Sequence, residues 1–242
     1  MLSALRPDIV VTVTENIRTI RQRLDKDSLW SRHRPSLEQL LYWREIERIT
    51  AQQTASLLGK PYFLVPAATS PISISRLFQN PTGTTKIYFT YPARQLGRAK
   101  KYVTHLKQLL EQDSILFDAA SVGDWQLLSE AREALTRGIR PFKRAKDRLR
   151  EYDPENIFEH EEQITTDIIG QSHTLLEQSD ALVAILPRKH SAGVAAEIAW
   201  SNEMGKRTYI VTQEPSVSPF LRAASTTVVS SPELLLRAMS RG

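Results

Sequence analysis

The sequence predicts an α/β protein in which a doubly wound, mostly parallel sheet follows a smaller N-terminal α/β segment. The first observation is a short, near-continuous apolar run at Ala181–Leu186, which is typical of a strand buried on both faces. The second is the alternation of strand-like and helix-like stretches from residue 84 onward, which favours parallel strands joined by helical crossovers. The third is a polar, turn-rich linker at residues 79–84.

The composition is that of a globular protein large enough to bury a substantial core. The chain has 242 residues, of which 41% are hydrophobic and 24% are charged. It contains no cysteine, which excludes disulfides, thiolate metal sites and cysteine nucleophiles. No apolar run has the length of a membrane span, and the N-terminus lacks the apolar region of a signal peptide, so a cytoplasmic protein is expected.

The segment from residue 1 to about 80 predicts the order strand, helix, helix, strand. A β-branched strand at residues 7–14 precedes a helix from about Asn16 to Leu24. Ser36, with Gln39 three residues later, predicts a capped amphipathic helix that Gly59 terminates, and a strand follows at residues 61–66.

This N-terminal order resembles the C-terminal half of a P-loop nucleotide kinase. However, the sequence G-x-x-x-x-G-K-[ST] occurs nowhere in the chain, so the phosphate-binding loop of a kinase is missing. Two explanations remain open: the segment is a remnant that has lost catalysis, or the chain begins inside a longer protein. In both cases a structural or dimerisation role is expected for residues 1–80.

The second region, residues 84–242, predicts five strands and intervening helices in a Rossmann-like or flavodoxin-like order. The predicted strands are Lys86–Thr90, Ile115–Asp118, the run at Ala181, Thr208–Val211 and Thr226–Ser230. The predicted helices include 97–112, 161–178, 194–204 and 232–239.

Glu197 is the strongest candidate for a functional residue. It is predicted in the first turn of the helix that follows the strand at Ala181, at the carboxyl edge of the sheet, where open α/β sheets bind ligands. Backbone N–H groups around Ser191–Gly193, at the start of this helix, favour an anion. The pattern therefore indicates a carboxylate held beside a phosphate site. The alternative is that Glu197 is an ordinary acid near its own helix N-terminus.

Three motifs resemble the nucleoside 2-deoxyribosyltransferase superfamily: D-A-L-V-A-I-L-P, S-A-G-V-A-A-E-I-A-W with G-K-R-T-Y-I-V, and K-I-Y-F-T-Y-P-A-R. The resemblance covers about residues 84–240. It implies an enzyme that exchanges or removes the base of a deoxynucleoside or its 5′-monophosphate, with Glu197 as nucleophile. It also implies that the Tyr88 hydroxyl contacts Glu197 and fixes its rotamer; the alternative for Tyr88 is a tyrosine of the core.

The departing base needs a proton, and here the chain departs from the family. Members commonly carry an aspartate eight residues before the one that matches Asp180, where this chain has Ser172. Serine is a poor general acid. Asp167, His173 and Asp118 are the alternatives, and Asp118 and Ser172 are both expected to lie near the substrate.

Two further positions imply a 5′-phosphate site. Six residues before Glu197 the base-exchanging transferases carry an aspartate and the monophosphate hydrolases a serine, and this chain has Ser191. Arg94 matches a hydrolase arginine that binds phosphate. Ser191, the Gly193 backbone and Arg94 together predict a phosphate site. The resemblance is therefore closest to the deoxynucleoside 5′-monophosphate hydrolases.

A basic segment at residues 130–150 supports a third hypothesis, nucleic-acid binding. It holds eight basic and three acidic residues, so its net charge of +5 equals the formal net charge of the whole chain. Phe142 is its only aromatic residue, whereas a single-strand binding surface interleaves aromatic and basic side chains. The alternative is a solvated pair of basic helices.

The sequence thus favours an enzyme that cleaves the base–sugar bond of a nucleotide, without cofactor or metal. The five histidines form no metal-ligand pair, and the dinucleotide-binding sequence G-x-G-x-x-G does not occur. The second hypothesis is a catalytically impaired nucleotide sensor or assembly subunit. The resemblance also implies a homo-oligomer, and its prokaryotic members include nucleotide-depleting defence proteins as well as salvage enzymes.

Overall fold

The computed structural model describes residues 7–27, 35–92, 96–138, 154–187 and 191–240. The chain divides into two compact units. One comprises Met1–Leu64 and Val122–Gln171, and the other comprises Val65–Ser121 and Ser172–Gly242. The chain therefore passes between the units at places other than the linker predicted at 79–84.

The strands of the described residues follow the predicted order, whereas several of the short helices were not predicted. The strands are β1 (Val10–Thr14), β2 (Tyr62–Pro66), β3 (Lys86–Thr90), β4 (Ile115–Asp118), β5 (Ala181–Ile185), β6 (Arg207–Val211) and β7 (Thr227–Val229). The helices are α1 (Ile17–Lys26), α2 (Leu37–Leu58), α3 (Pro71–Gln79), α4 (Leu96–Leu110), α5 (Trp125–Thr136), α6 (Pro154–Glu159), α7 (Glu161–Glu177), α8 (Ala192–Glu203), α9 (Pro219–Ala223) and α10 (Pro232–Met239).

The first unit is built on apolar contacts between α1 and α2 and the helices after residue 122. Its core includes Ile17 and Leu40 from the N-terminal helices and Leu127, Ile157 and Ile168 from α5, α6 and α7. These side chains are between 0% and 3% exposed. This shared core explains why residues 122–171 group with the N-terminus and not with the main sheet.

Local signals set the ends of α2, as predicted. Ser36 and Gln39 form a reciprocal capping box, in which each side chain bonds the backbone N–H of the other residue. Gly59 ends the helix in the left-handed region, with φ of 60°. Helix α3 was not predicted from the sequence, although Ser70 caps it and Pro71 occupies its first turn.

The second unit contains a five-stranded parallel sheet in the order β4-β3-β5-β6-β7. Numbered along this unit the order is 2-1-3-4-5, which confirms the doubly wound, Rossmann-like α/β class. In such a sheet the second strand lies on one side of the first strand, and the third and later strands are added on the other side. Ligands bind at the carboxyl ends of the two strands that flank this switch point, here β3 and β5.

The two faces of this sheet carry different layers, because successive strand residues point to opposite sides. Ile87 and Phe89 on β3 join Val183 on β5 in a core with Leu106 of α4 and Leu235 of α10. The intervening β3 residues, Tyr88 and Thr90, therefore point to the opposite face. Helix α8 packs on β5 and β6, and its Glu197 meets that second face.

The basic segment is described only in part. Arg132 pairs with Glu161, and Arg137 pairs with Glu133 at 2.6 Å. Residues 139–150 lie outside the described residues, so the nucleic-acid hypothesis stays a prediction. None of the helices in the described residues is long and apolar enough to cross a membrane.

Candidate active site

Glu197 lies in the second turn of α8, whereas the sequence predicted it in the first turn. The helix begins at Ala192, two residues before the predicted start, which makes Glu197 its sixth residue. The helix dipole acts on charges mainly within the first turn. The alternative that Glu197 merely complements its own helix N-terminus therefore does not account for its placement.

Two hydroxyl groups of β3 bind the two carboxylate oxygens of Glu197. The Tyr88 hydroxyl donates to Oε1 at 2.7 Å, which is the contact that the family resemblance implied. The Thr90 hydroxyl donates to Oε2 at 2.6 Å. Because Tyr88 and Thr90 are two residues apart on a strand, both point to the same face. The carboxylate is thereby held at the switch point between β3 and β5.

Ser172 of α7 is the third hydroxyl at this carboxylate. It is 8% exposed, and its side chain hydrogen-bonds with both Tyr88 and Glu197. The position at which the resemblance led us to expect a general acid is thus occupied by a hydroxyl that contacts Glu197. It supplies a hydrogen bond, but a serine hydroxyl is a weak acid.

Opposing effects act on the protonation of Glu197. Burial raises the pKa of this carboxyl above its ordinary value, and the hydrogen bonds from Thr90, Tyr88 and Ser172 partly offset that rise. Burial and the Glu197 charge raise the pKa of the Tyr88 phenol well above its ordinary value. Tyr88 is fully buried, so it remains a protonated donor at neutral pH.

Asp118 lies at the end of β4, next to β3, where Phe89 is its partner in register. Its carboxylate accepts hydrogen bonds from Lys107 of α4 and from the Tyr91 hydroxyl, the latter at 3.3 Å. Burial and the Asp118 charge raise the pKa of Tyr91. Asp118 is therefore part of an ion pair on the adjacent strand, and its charge acts on Tyr88 only at a distance.

The other two candidates for the general acid have partners of their own. Asp167 pairs with Arg44 and accepts a hydrogen bond from Gln171 at 2.6 Å. His173 lies 3.3 Å from the Glu177 carboxylate, and its ring meets the ring of Trp200 edge-on. Neither has a hydrogen bond with Glu197 in the described residues.

Two of the three residues predicted to bind phosphate are described. Ser191 is the N-cap of α8 with extended backbone, and its side chain makes no capping hydrogen bond. The hydroxyl is therefore not used to close the helix end. A Cβ at Gly193 would meet the Ser191 Oγ at 3.6 Å, an ordinary contact. Arg94 lies outside the described residues, and its role stays a prediction.

Thr90 is the residue that the sequence analysis missed. The strand Lys86–Thr90 was predicted with its observed bounds, and the two-residue alternation places position 90 beside Tyr88. That alternation was the available signal. No group of three or more His, Asp or Glu side chains in the described part of the chain is arranged to hold a metal ion.

Removal of the Tyr88 hydroxyl is the first test of this geometry. We expect Tyr88→Phe to lower kcat/KM for base release by about 10- to 100-fold, since hydrogen bonds to charged groups contribute about 1.5–3 kcal/mol. The acid limb of the pH profile moves to higher pH, because Oε1 loses a donor that favours its ionised form. Tyr209→Phe is the control, since Tyr209 is buried in the core on the other sheet face.

Sequence comparison and structure comparison give different results for this chain. Neither a protein-family model nor a curated protein matches this sequence. Among solved structures, a 2-deoxyribosyltransferase from the psychrotolerant bacterium Bacillus psychrosaccharolyticus is similar, with 14% sequence identity and a TM-score of 0.37. The similarity covers 62% of this chain and 90% of that one. The fold assignment itself depends on the strand order given above.

Proposed function

We propose that this protein cleaves the bond between base and sugar in a deoxynucleoside 5′-phosphate or a related nucleotide, with Glu197 as the nucleophile. The observation that carries the proposal is the carboxylate itself. It is partly buried at the switch point of a parallel sheet, and separate hydroxyl donors hold both of its oxygens. The three motifs that resemble deoxyribosyltransferases add to this geometry.

The chemistry follows from the charge of the transition state. Cleavage of an N-glycosidic bond develops positive charge at the anomeric carbon, and a carboxylate on one face stabilises that charge or bonds to the carbon. In the proposed reaction Glu197 bonds to this carbon as the base departs with the bonding electron pair. Water then releases the sugar phosphate and regenerates the carboxylate, or a second base takes the sugar.

The 5′-phosphate is proposed to bind at the start of α8. The twelve-residue helix directs its first backbone N–H groups outward, and Ser191 at the N-cap has a hydroxyl that no capping bond occupies. The proposed anion site is five to six residues, about one and a half helical turns, before Glu197. Arg94, which follows β3 in the sequence, is the proposed second phosphate ligand.

One observation favours a second candidate function, nucleotide binding without turnover. Tyr88, Thr90 and Ser172 all present hydroxyl groups to Glu197, and no carboxylic acid among the described residues does so. A protein that cannot protonate its leaving group would keep a nucleotide site and lose the reaction. Such a protein would act as a sensor or as a subunit of an assembly.

A single set of measurements separates the two functions. Wild-type protein and Glu197→Gln are incubated with deoxynucleosides, deoxynucleoside 5′-monophosphates and ribonucleotides, and free base is quantified by chromatography. Base release by the wild type alone supports the enzyme. Thermal stabilisation by a nucleotide without base release supports the binding protein. Neither stabilisation nor release would contradict both proposals.

A further inference from the structure

Thr90 combines deep burial with a direct contact to the candidate nucleophile. It is the last residue of β3, it is 3% exposed, and its Oγ1 lies 2.6 Å from Oε2 of Glu197. Tyr88 binds the other oxygen, Oε1, at 2.7 Å. Each carboxylate oxygen therefore has its own donor, and the plane of the carboxylate is fixed from one strand.

We infer that Thr90 is a positioning residue for the reaction proposed above. Its hydrogen bond to Oε2 keeps Glu197 ionised and oriented. The inference rests on the proposed function, and it gives a role to a residue of the strand motif to which the resemblance assigned none. Without Thr90, the carboxylate would keep only one donor from β3 and could rotate more easily about the bond that joins it to its side chain. With a second donor on Oε2, that rotation would break a short hydrogen bond.

The local structure explains why a threonine suits this position. A β-branched side chain at the end of a strand has few χ1 rotamers, so its hydroxyl keeps one direction at little entropic cost. The neighbouring residue on β5 is Ala184, which is paired in register with Thr90 and is fully buried. Its methyl group offers no acceptor, so it does not compete with Glu197 for the hydroxyl.

The electrostatic consequence follows from the burial of Glu197. Burial favours the neutral carboxyl, and the Thr90 hydrogen bond is the largest effect that acts against this. A carboxyl that takes a proton cannot act as the nucleophile. Loss of the Thr90 hydroxyl is therefore expected to reduce the fraction of protein in which Glu197 is ionised at neutral pH. The carboxylate should also be less firmly oriented in the molecules where it is still ionised.

The test compares Thr90→Val, which has nearly the same shape without the hydroxyl, with Thr90→Ser, which keeps the hydroxyl. We expect Thr90→Val to lower kcat about 10- to 100-fold with a small change in KM. The acid limb of its pH profile should move to higher pH. Thr90→Ser should recover most of the lost kcat and the wild-type profile, which a role in packing alone would not predict.

Thr208→Val is the matched control. Thr208 is a buried threonine on β6 whose hydroxyl meets Ser201 at 2.8 Å and not Glu197. It is expected to lose some stability and to keep the wild-type pH profile. A Thr90→Val variant with wild-type kcat and pH profile would overturn the inference. So would an equal loss of kcat and an equal pH shift in Thr208→Val.

A second readout separates this inference from the proposed function. The Glu197 carboxyl is titrated by ¹³C NMR in the wild type, Thr90→Val and Thr90→Ser, which requires no turnover. A titration midpoint that rises in Thr90→Val alone supports the inference that Thr90 keeps Glu197 ionised. An unchanged midpoint in Thr90→Val overturns it. If the wild type releases no base from any nucleotide, the proposed function fails, and the titration alone decides the role of Thr90.

Discussion

Glu197→Gln abolishes base release: we expect kcat/KM to fall by roughly 10⁴-fold or more, as for the loss of other enzymatic nucleophiles. The amide has nearly the size of the carboxylate and keeps one oxygen for the donors of β3. It has no negative charge, so it neither stabilises the developing cation nor forms the bond to the anomeric carbon. The measurement is free base released per enzyme over hours.

Glu203→Gln is the control for this prediction, because Glu203 is an exposed acid at the end of the same helix. It should retain wild-type activity. Base release by Glu197→Gln at the wild-type rate would contradict the nucleophile assignment. A loss in both variants would indicate damage to α8 and not to the chemistry.

The same substitution should make the protein more stable at neutral pH. The pKa of Glu197 is raised in the folded state, so the folded protein binds this proton more tightly than the unfolded chain does. Above that pKa the side chain is ionised in both states, and the folded state bears the cost of the buried charge. Glu197→Gln removes this cost. The melting temperature of Glu197→Gln should exceed that of the wild type at pH 8. At a pH below the ordinary glutamate pKa, the two melting temperatures should be nearly equal.

Local signals in the sequence were sufficient for most of the main sheet. Strands β3 and β4 and helix α10 have the predicted bounds, because alternating or continuous apolar runs end at clear turn residues. The strand motif also predicted the contact between Tyr88 and Glu197, although 109 residues separate them. That success came from family resemblance, since periodicity alone does not pair a strand with a helix.

Predictions failed where tertiary contacts decide. The helices predicted at 130–150 and 161–178 did not indicate that α5, α6 and α7 share a core with α1 and α2. Asp167, one of the alternatives for the general acid, has Arg44 as its partner, and 123 residues separate the two in the sequence. Patterns within a single sequence are local, so they do not indicate which distant residues pair.

Arg44→Leu should destabilise the first unit by about 3–5 kcal/mol, the cost of removing one partner from a buried ion pair. The Arg44 side chain is 7% exposed and contacts two carboxylates, Asp124 at 3.0 Å and Asp167. It also donates to the Glu15 carbonyl at 3.0 Å. The substitution therefore removes the one guanidinium that contacts both of these carboxylates in the described residues. Denaturant unfolding of the full chain measures the loss.

The loss should depend on pH in a definite direction. Burial raises the pKa of Asp124 to about 6, even though Arg44 acts to lower it, and the pKa of Asp167 is also raised. Without the guanidinium both values rise further above those of the unfolded chain. Protonation then removes the buried charges near pH 5, whereas at pH 8 they remain. The variant should thus be closer to the wild type at pH 5 than at pH 8.

Two further variants identify the cause. Arg48 lies one turn after Arg44 on α2 and pairs with Glu45 on the same partly exposed surface, so Arg48→Leu should cost less than about 0.5 kcal/mol. Combining Arg44→Leu with Asp124→Asn and Asp167→Asn removes every charge of the cluster and should recover much of the lost stability. Failure of that recovery would mean that the guanidinium acts through packing and through its bond to Glu15, because the uncompensated carboxylates would by then be absent.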